Sequence, residues 1–134
     1  MTYSLFTDGG SRGNPGPGAI GVVIENDKGE TIYELSKYIG KCTNNEAEYL
    51  ALIAGLKVAE NKKLDNLEVY IDSELVTKQV NGEYKVKSPN LKKYYVEAAN
   101  FRKKFDNIDF IHVKRHKNTK ADKLVNEALD SNGF

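Results

Sequence analysis

The sequence predicts an α/β protein in which a mixed sheet is covered by helices. Three β-rich segments open the chain, and strands then alternate with helices, giving the order βββαβααβα. Leading strands joined by tight turns pair antiparallel, whereas later strands reached through helices pair parallel. At 134 residues with 40% hydrophobic content, the chain has the length of one domain. A chain of this size buries roughly 68% of its unfolded surface and needs no covalent staple.

Residues 2–8, Thr-Tyr-Ser-Leu-Phe-Thr-Asp, alternate with Tyr3, Leu5 and Thr7 on one face, as in a half-buried strand. Six of the eleven glycines, with Pro15 and Pro17, crowd residues 9–21, which reads as a loop. Ala19 to Glu25 reads as a buried strand, Asn26-Asp27-Lys28-Gly29 as a turn, and Glu30 to Ile39 as the hairpin partner. Thr43 or Asn44 caps a helix to about Asn61, whose apolar stripe is Ala47, Leu50, Ala51, Ala54 and Val58. Asn66 to Asp72 alternates as a strand through Leu67, Val69 and Ile71. A short helix over Ser73 to Val80 stops at Asn81-Gly82, and Pro89 or Asn90 opens another to about Phe105. Ile108 to Val113 forms the last strand and Thr119 to Leu129 the last helix.

Composition excludes several classes. The single cysteine, Cys42, rules out an internal disulfide framework and a cysteine zinc ribbon. No apolar run approaches 18 residues and no basic-then-apolar start is present, so neither a membrane span nor a secretory signal is expected. The expectation is a cytoplasmic monomer without a membrane partner. Net charge is only +1, but it is segregated: residues 1–77 carry seven Lys/Arg against twelve Asp/Glu, and residues 78–123 carry thirteen against five. Segregated charge can form a basic face that attracts a polyanion, although a lysine-rich solvated helix surface has the same composition.

Two aspartates follow strand patterns, Asp8 after Leu5-Phe6-Thr7 and Asp72 after Val69-Tyr70-Ile71. On parallel neighbours about 4.8 Å apart, their side chains would stand together at the edge where open sheets bind ligands. An aspartate at a strand end is by itself an ordinary turn former or helix cap. Glu48 near the start of one helix and Asp122 in the first turn of the last complete a set of four carboxylates. Such acids suit hard divalent cations, and two cations about 3.5–4 Å apart can clamp the attacking and leaving oxygens of a phosphoryl displacement.

Other motifs carry less. Gly16-Pro17-Gly18-Ala19-Ile20-Gly21 satisfies a dinucleotide-binding pattern, but a strand follows where a helix is required. Gly40-Lys41-Cys42-Thr43 lacks the first glycine and the hydroxyl residue of a phosphate loop. Cys42, His112 and His116 lack a fourth zinc ligand. Cys42 reads as a packing residue and His112 as a strand residue.

Four blocks, in order along nearly the whole chain, resemble the type 1 ribonucleases H. Residues 7–18, Thr-Asp-Gly-Gly-Ser-Arg-Gly-Asn-Pro-Gly-Pro-Gly, resemble the family's opening signature. Thr43-Asn44-Asn45-Glu46-Ala47-Glu48 resembles its Thr-Asn-Asn-x-x-Glu helix start, Asp72-Ser73 its Asp-Ser after the fourth strand, and Asn118-Thr119-Lys120-Ala121-Asp122 its Asn-x-x-Ala-Asp. The resemblance implies a five-stranded mixed sheet of order 3-2-1-4-5 over residues 1–134 as a single ribonuclease H domain. It also implies endonucleolytic hydrolysis of the RNA strand of an RNA–DNA hybrid by a two-metal-ion mechanism with Mg2+, for which Mn2+ can substitute. Asp8, Glu48, Asp72 and Asp122 match the metal-binding carboxylates. Asn14, Asn44 and Asn45 match minor-groove contacts, Thr43 a DNA-phosphate contact, and Gly9, Gly10 and Ser11 lie where the backbone approaches the hybrid. A wide minor groove lined with 2′-hydroxyls suits short amides and glycine backbone.

The chain also departs from the family pattern. Many members carry a catalytic histidine ten residues before the last aspartate, whereas His116 precedes Asp122 by six; His116 stays a candidate proton carrier. The tryptophan-rich basic protrusion of some members is missing, and Lys85, Lys87, Lys92 and Lys93 are expected to supply part of the phosphate attraction instead; the pattern from Asp72 to Leu91 resembles the short, protrusion-free branch. Glu74 and Ser88 replace a common glutamine and asparagine. These departures motivate an alternative, a hybrid- or double-stranded-RNA-binding module with weak or lost catalysis. A metal nuclease of the same fold acting on DNA is a third reading.

Overall fold

Alternating side chains from Tyr3 to Ser11 form β1 of the computed structural model, which describes residues 1–134. Leu5 and Thr7 are buried towards one face, while Phe6 stacks on Tyr70 on the other. β2 (Gly16–Glu25) and β3 (Thr31–Cys42) follow as antiparallel neighbours. β4 (Asn66–Ile71) and β5 (Asn107–His112) join in parallel on the other side of β1. The strand order is β3-β2-β1-β4-β5, the one implied by the family resemblance.

Helix α1 (Asn44–Asn61) crosses one face of β1 and β2, and α3 (Pro89–Phe101) lies on α1. α2 (Glu74–Val80) follows β4, and α4 (Thr119–Ser131) covers the opposite face on β1, β2 and β3. The main core of Leu5, Val22, Ile24, Leu52, Leu56, Leu67, Val69 and Ile71 lies between the sheet and α1. Smaller clusters built on Ala19 and Val23 seat α4 through Val125, Leu129, Ala121 and Leu124.

Several boundaries differ from the sequence expectation, each for a local reason. Residues 9–21 are mostly strand: β1 and β2 stay paired to Ser11 opposite Gly18, and only residues 12–15 turn. The glycines there serve close approach between layers. A Cβ on Gly9 would collide with the Ala47 carbonyl of α1, and one on Gly21 with the Ala121 carbonyl of α4. β3 starts at Thr31 because the Asn26 carboxamide oxygen accepts from Lys28 N–H (3.0 Å) and Glu30 N–H (2.9 Å), holding Glu30 in the turn. It runs on to Cys42 because β2 begins early enough to pair Gly16 with Cys42.

The α1 stripe is also corrected. Leu50, Ala54 and Val58 are only partly buried, whereas Glu48, Tyr49, Leu52, Ile53, Gly55, Leu56 and Ala59 are buried along with Ala47 and Ala51. With the sheet beneath and α3 beside it, α1 is covered over more of its circumference than a single stripe provides. α3 ends at Phe101, and a 3-10 turn over Arg102–Lys104 brings buried Phe105 back to the core. α4 extends to Ser131, two residues beyond the expected end.

The closeness of α4 to Gly21 has a measurable consequence. Gly21→Ala places a methyl against helix backbone, which cannot rotate away, so it should destabilise the protein by about 1–3 kcal/mol. A thermal or urea melt of the two proteins checks this.

Candidate active site

The parallel ladder between β1 and β4 ends at Thr7 opposite Ile71. β1 itself continues, so Asp8 is a mid-strand residue at the point where its neighbour on that side stops, not a strand-ending one. Asp72 is the first residue after β4, and the two carboxylates are thereby brought side by side. The backbone of α1 passes over Gly9, and Glu48, in the first turns of α1, reaches the same place. Oxygens of Asp8, Glu48 and Asp72 all lie within 4.8 Å of one another. Asp122, in the first turn of α4, comes close to Asp8 from the other layer, and all four acids line a cleft of about 470 Å3.

Three of the acids are held by neighbouring groups. Glu48 Oε1 accepts a 2.5 Å hydrogen bond from Gly9 N–H. Asn118, almost fully buried ahead of α4, donates from Nδ2 to the Thr7 carbonyl (2.9 Å) and to Asp72 Oδ2 (3.3 Å). Asp122 Oδ1 pairs with Arg115 Nη2 at 3.2 Å. Asn118 and Arg115 were not singled out from sequence as site residues. The only signals were Asn118 at the head of the Asn-x-x-Ala-Asp block and Arg115 beside His116, and neither reveals a contact partner.

Crowding sets the electrostatics. Burial, and then the negative charge of Asp72, push the Asp8 carboxyl up from 3.8 to about 7. The charge of Asp122 and a hydrogen bond to it raise Asp8 further, against a lowering hydrogen bond from Glu48. Glu48 is pushed well up as well, by burial first and then by the charges of Asp8 and Asp72, with the Gly9 N–H opposing. Without a counter-charge the Asp8–Glu48 pair therefore retains a proton that free carboxylates would have released. Glu48 Oε2 is buried and accepts no hydrogen bond from any donor group of the protein. An unpartnered buried carboxylate oxygen, facing two more carboxylates, fits a divalent cation that prefers oxygen ligands.

The cleft wall opposite Asp72 is made by the β1–β2 turn and the start of α1. Thr43 caps α1: its hydroxyl accepts from Glu46 N–H (3.1 Å) and Glu46 Oε1 accepts from Thr43 N–H (2.9 Å). Asn44 Oδ1 accepts from Ser11 N–H (2.9 Å), and Asn14 Oδ1 accepts from Asn44 N–H (3.0 Å). With both carboxamide oxygens turned inward, the two Nδ2 groups are left to donate. Gly9, Gly10, Ser11, Asn44 and Asn45 line the cleft, while Asn14 is exposed at the turn. His116 sits exposed in the 3-10 turn Arg115–Lys117, where its neighbour Arg115, rather than the imidazole, forms cleft wall. His112 is likewise exposed, at the end of β5. Cys42 is buried, with its sulfur over Gly18, as a packing residue.

The raised Asp8 carboxyl makes metal-free stability depend on pH. Its folded value, about 7, exceeds the unfolded one near 3.8, so the folded state binds the extra proton between them. Below pH 4 both states are protonated; stability then falls as pH rises towards 7, by at most about 1.4 kcal/mol per pH unit for one proton. In EDTA at pH 7–8, Asp8→Asn should melt higher than the unsubstituted protein, and the gap should close towards pH 4. Thermal melts across that range check both signs.

A family model described as reverse transcriptase-like matches residues 6–128. Ribonuclease HI of Halobacterium salinarum is 44% identical over 125 residues, covering 93% of this chain and 63% of that protein. A ribonuclease H of Legionella pneumophila is 30% identical over 145 residues, covering 97% and 98%. A bifunctional protein of Mycobacterium tuberculosis is 46% identical over 132 residues, of which the chain spans only 36%. Among solved structures, LC11-RNase H1 in complex with an RNA/DNA hybrid superimposes with a TM-score of 0.91 at 47% identity, covering 97% of this chain and 98% of that one. Matched over 97% of its length by a ribonuclease H of which it covers 98%, and sharing the fold of LC11-RNase H1, this chain belongs to the type 1 ribonuclease H family.

Proposed function

We propose that residues 1–134 form one ribonuclease H domain that cuts the RNA strand of RNA–DNA hybrids. The observation carrying this reading is the convergence of Asp8, Glu48 and Asp72 within 4.8 Å, with Asp122 lining the same cleft. The fold is that of LC11-RNase H1, whose structure contains an RNA/DNA hybrid. Divalent cations, Mg2+ or Mn2+, supply Lewis acidity and charge neutralisation for in-line attack of water on a phosphodiester.

The chain's own residues provide position. Asp8, Glu48, Asp72 and Asp122 hold the cations; Gly9 N–H keeps Glu48 turned inward, and Asn118 aims Asp72. Asn14, Asn44 and Asn45 read the hybrid's minor groove: with oxygens bound internally, Asn14 and Asn44 present donors to 2′-hydroxyl oxygens and base-edge acceptors. Gly9, Gly10 and Ser11 let the duplex backbone come close. Thr43 has its hydroxyl oxygen committed to the cap and its hydrogen left for a DNA phosphate. His116, exposed beside the cleft wall, is the candidate proton carrier and stands apart from the four cation-holding acids. Exposed Lys85, Lys87, Lys92 and Lys93, before and in α3, supply phosphate attraction where other members carry a protrusion. A monomer in the cytoplasm fits a chain whose one cysteine is a buried thiol and which has no helix long and apolar enough to cross a membrane.

A labelled hybrid incubated with Mg2+ or Mn2+ tests the reading. Cleavage confined to the RNA strand should fall about a thousandfold or more in Asp8→Asn, several kcal/mol of transition-state stabilisation. Equal cleavage by both proteins, or equal cutting of an all-DNA duplex, would overturn it. Hybrid binding without turnover in either metal would favour the binding-module alternative. Binding by Asp8→Asn should also weaken steeply with salt through counterion release. Titrations at about 50 and 200 mM salt check this, and equal affinity at both would remove the basic segment from recognition.

A further inference from the structure

We infer that Asn126, oriented by Arg12, is a positioning residue that sets the direction of the Asp122 carboxylate. The inference rests on the proposed role of Asp122 as a cation-holding group. Asp122, whose side chain is 29% exposed, enters from a different layer, so β1 and β4 do not fix it. One of its oxygens pairs with Arg115, whose side chain is 79% exposed on a 3-10 turn. An exposed ion pair of that kind constrains geometry weakly.

Asn126 supplies a second contact, to the other carboxylate oxygen, from one helical turn further along α4. Its Nδ2 donates to the Asp122 backbone carbonyl (3.1 Å) and reaches Asp122 Oδ2 (3.5 Å). Its Oδ1 accepts from Arg12 Nη2 (3.4 Å), and Arg12 Nη1 pairs with Asp130 Oδ1 at 2.8 Å. The Arg12 contact decides the amide orientation. A reversed amide would set its NH2 against the guanidinium and its oxygen against a carboxylate. Arg12 belongs to the β1–β2 turn, so the series Asp130–Arg12–Asn126–Asp122 ties that turn to the fourth carboxylate across the cleft. In this reading Asn126 acts through Asp122, which distinguishes it from the acids.

The test uses Asn126→Ala and Arg12→Ala with two readouts, hybrid cleavage and Mn2+ binding by calorimetry without substrate. Asn126→Ala should lower kcat about tenfold with KM within about twofold, as for a lost hydrogen bond that holds a charged group in geometry. Its Mn2+ affinity should fall about threefold or more on the same ground. Metal-free melting should not fall, because alanine is the better helix former. Arg12→Ala should move kcat in the same direction by a smaller factor. Unchanged kcat and Mn2+ affinity in Asn126→Ala overturn the inference, as does a loss explained by lower melting. An Arg12→Ala effect confined to KM overturns the part assigned to Arg12. Failure of the unsubstituted protein to cleave hybrid refutes the proposed function instead. The Mn2+ arm then still decides the inference, weaker binding supporting it and equal binding overturning it.

Discussion

Repulsion among carboxylates is the interaction around which this molecule is organised. Asp8, Glu48 and Asp72 place oxygens within 4.8 Å of one another in a site where Asp8 and Glu48 are both buried. Like charges at that spacing, removed from water, are unfavourable unless a proton or a cation intervenes. The fold sustains the arrangement because each acid sits on an element fixed by many other contacts. The parallel register of β1 and β4 places Asp8 and Asp72, and the core beneath α1 places Glu48. A stable scaffold thus holds a locally unfavourable cluster, as sites that bind multivalent cations require.

The two helices that complete the site approach the sheet through glycine. At Gly9 and Gly21 the helix backbones of α1 and α4 lie where a side chain would have been. This closeness brings Glu48 and Asp122 into range of β1, since both side chains project from the first turns of their helices. Hydrogen bonds then refine what packing sets. Gly9 N–H turns Glu48 inward, Asn118 binds Asp72 to β1, and Asn14, Asn44 and Ser11 join the β1–β2 turn to α1. The cleft wall formed by the β1–β2 turn and the start of α1 is consequently made of donors, beside a floor made of acids.

The acids did not need coordinates to be noticed. Asp8, Glu48, Asp72 and Asp122 stand out because they begin or interrupt regular patterns, and their blocks recur in family order. The glycine-rich stretch was harder to read. Gly and Pro between residues 9 and 21 carry the composition of a loop, yet most of it is strand, because the glycines answer to helices far away in sequence. The α1 stripe failed for a related reason. Periodicity finds one buried face, whereas α1 is covered by both sheet and α3.

Local sequence determined what depends on neighbours in the chain: the alternation of strands, the Thr43 cap, the Asn81-Gly82 stop and the identity of the acids. Tertiary structure alone decided what depends on distance through space. It set where the β1–β4 ladder ends, how deeply Glu48 is buried, and that Asn118, Arg115 and Asn126 turn towards the acids. It also left His116 exposed beside the cleft wall. The physical reason is that propensity and capping act over a few residues, whereas charge and burial depend on groups that folding brings together from opposite ends of the chain.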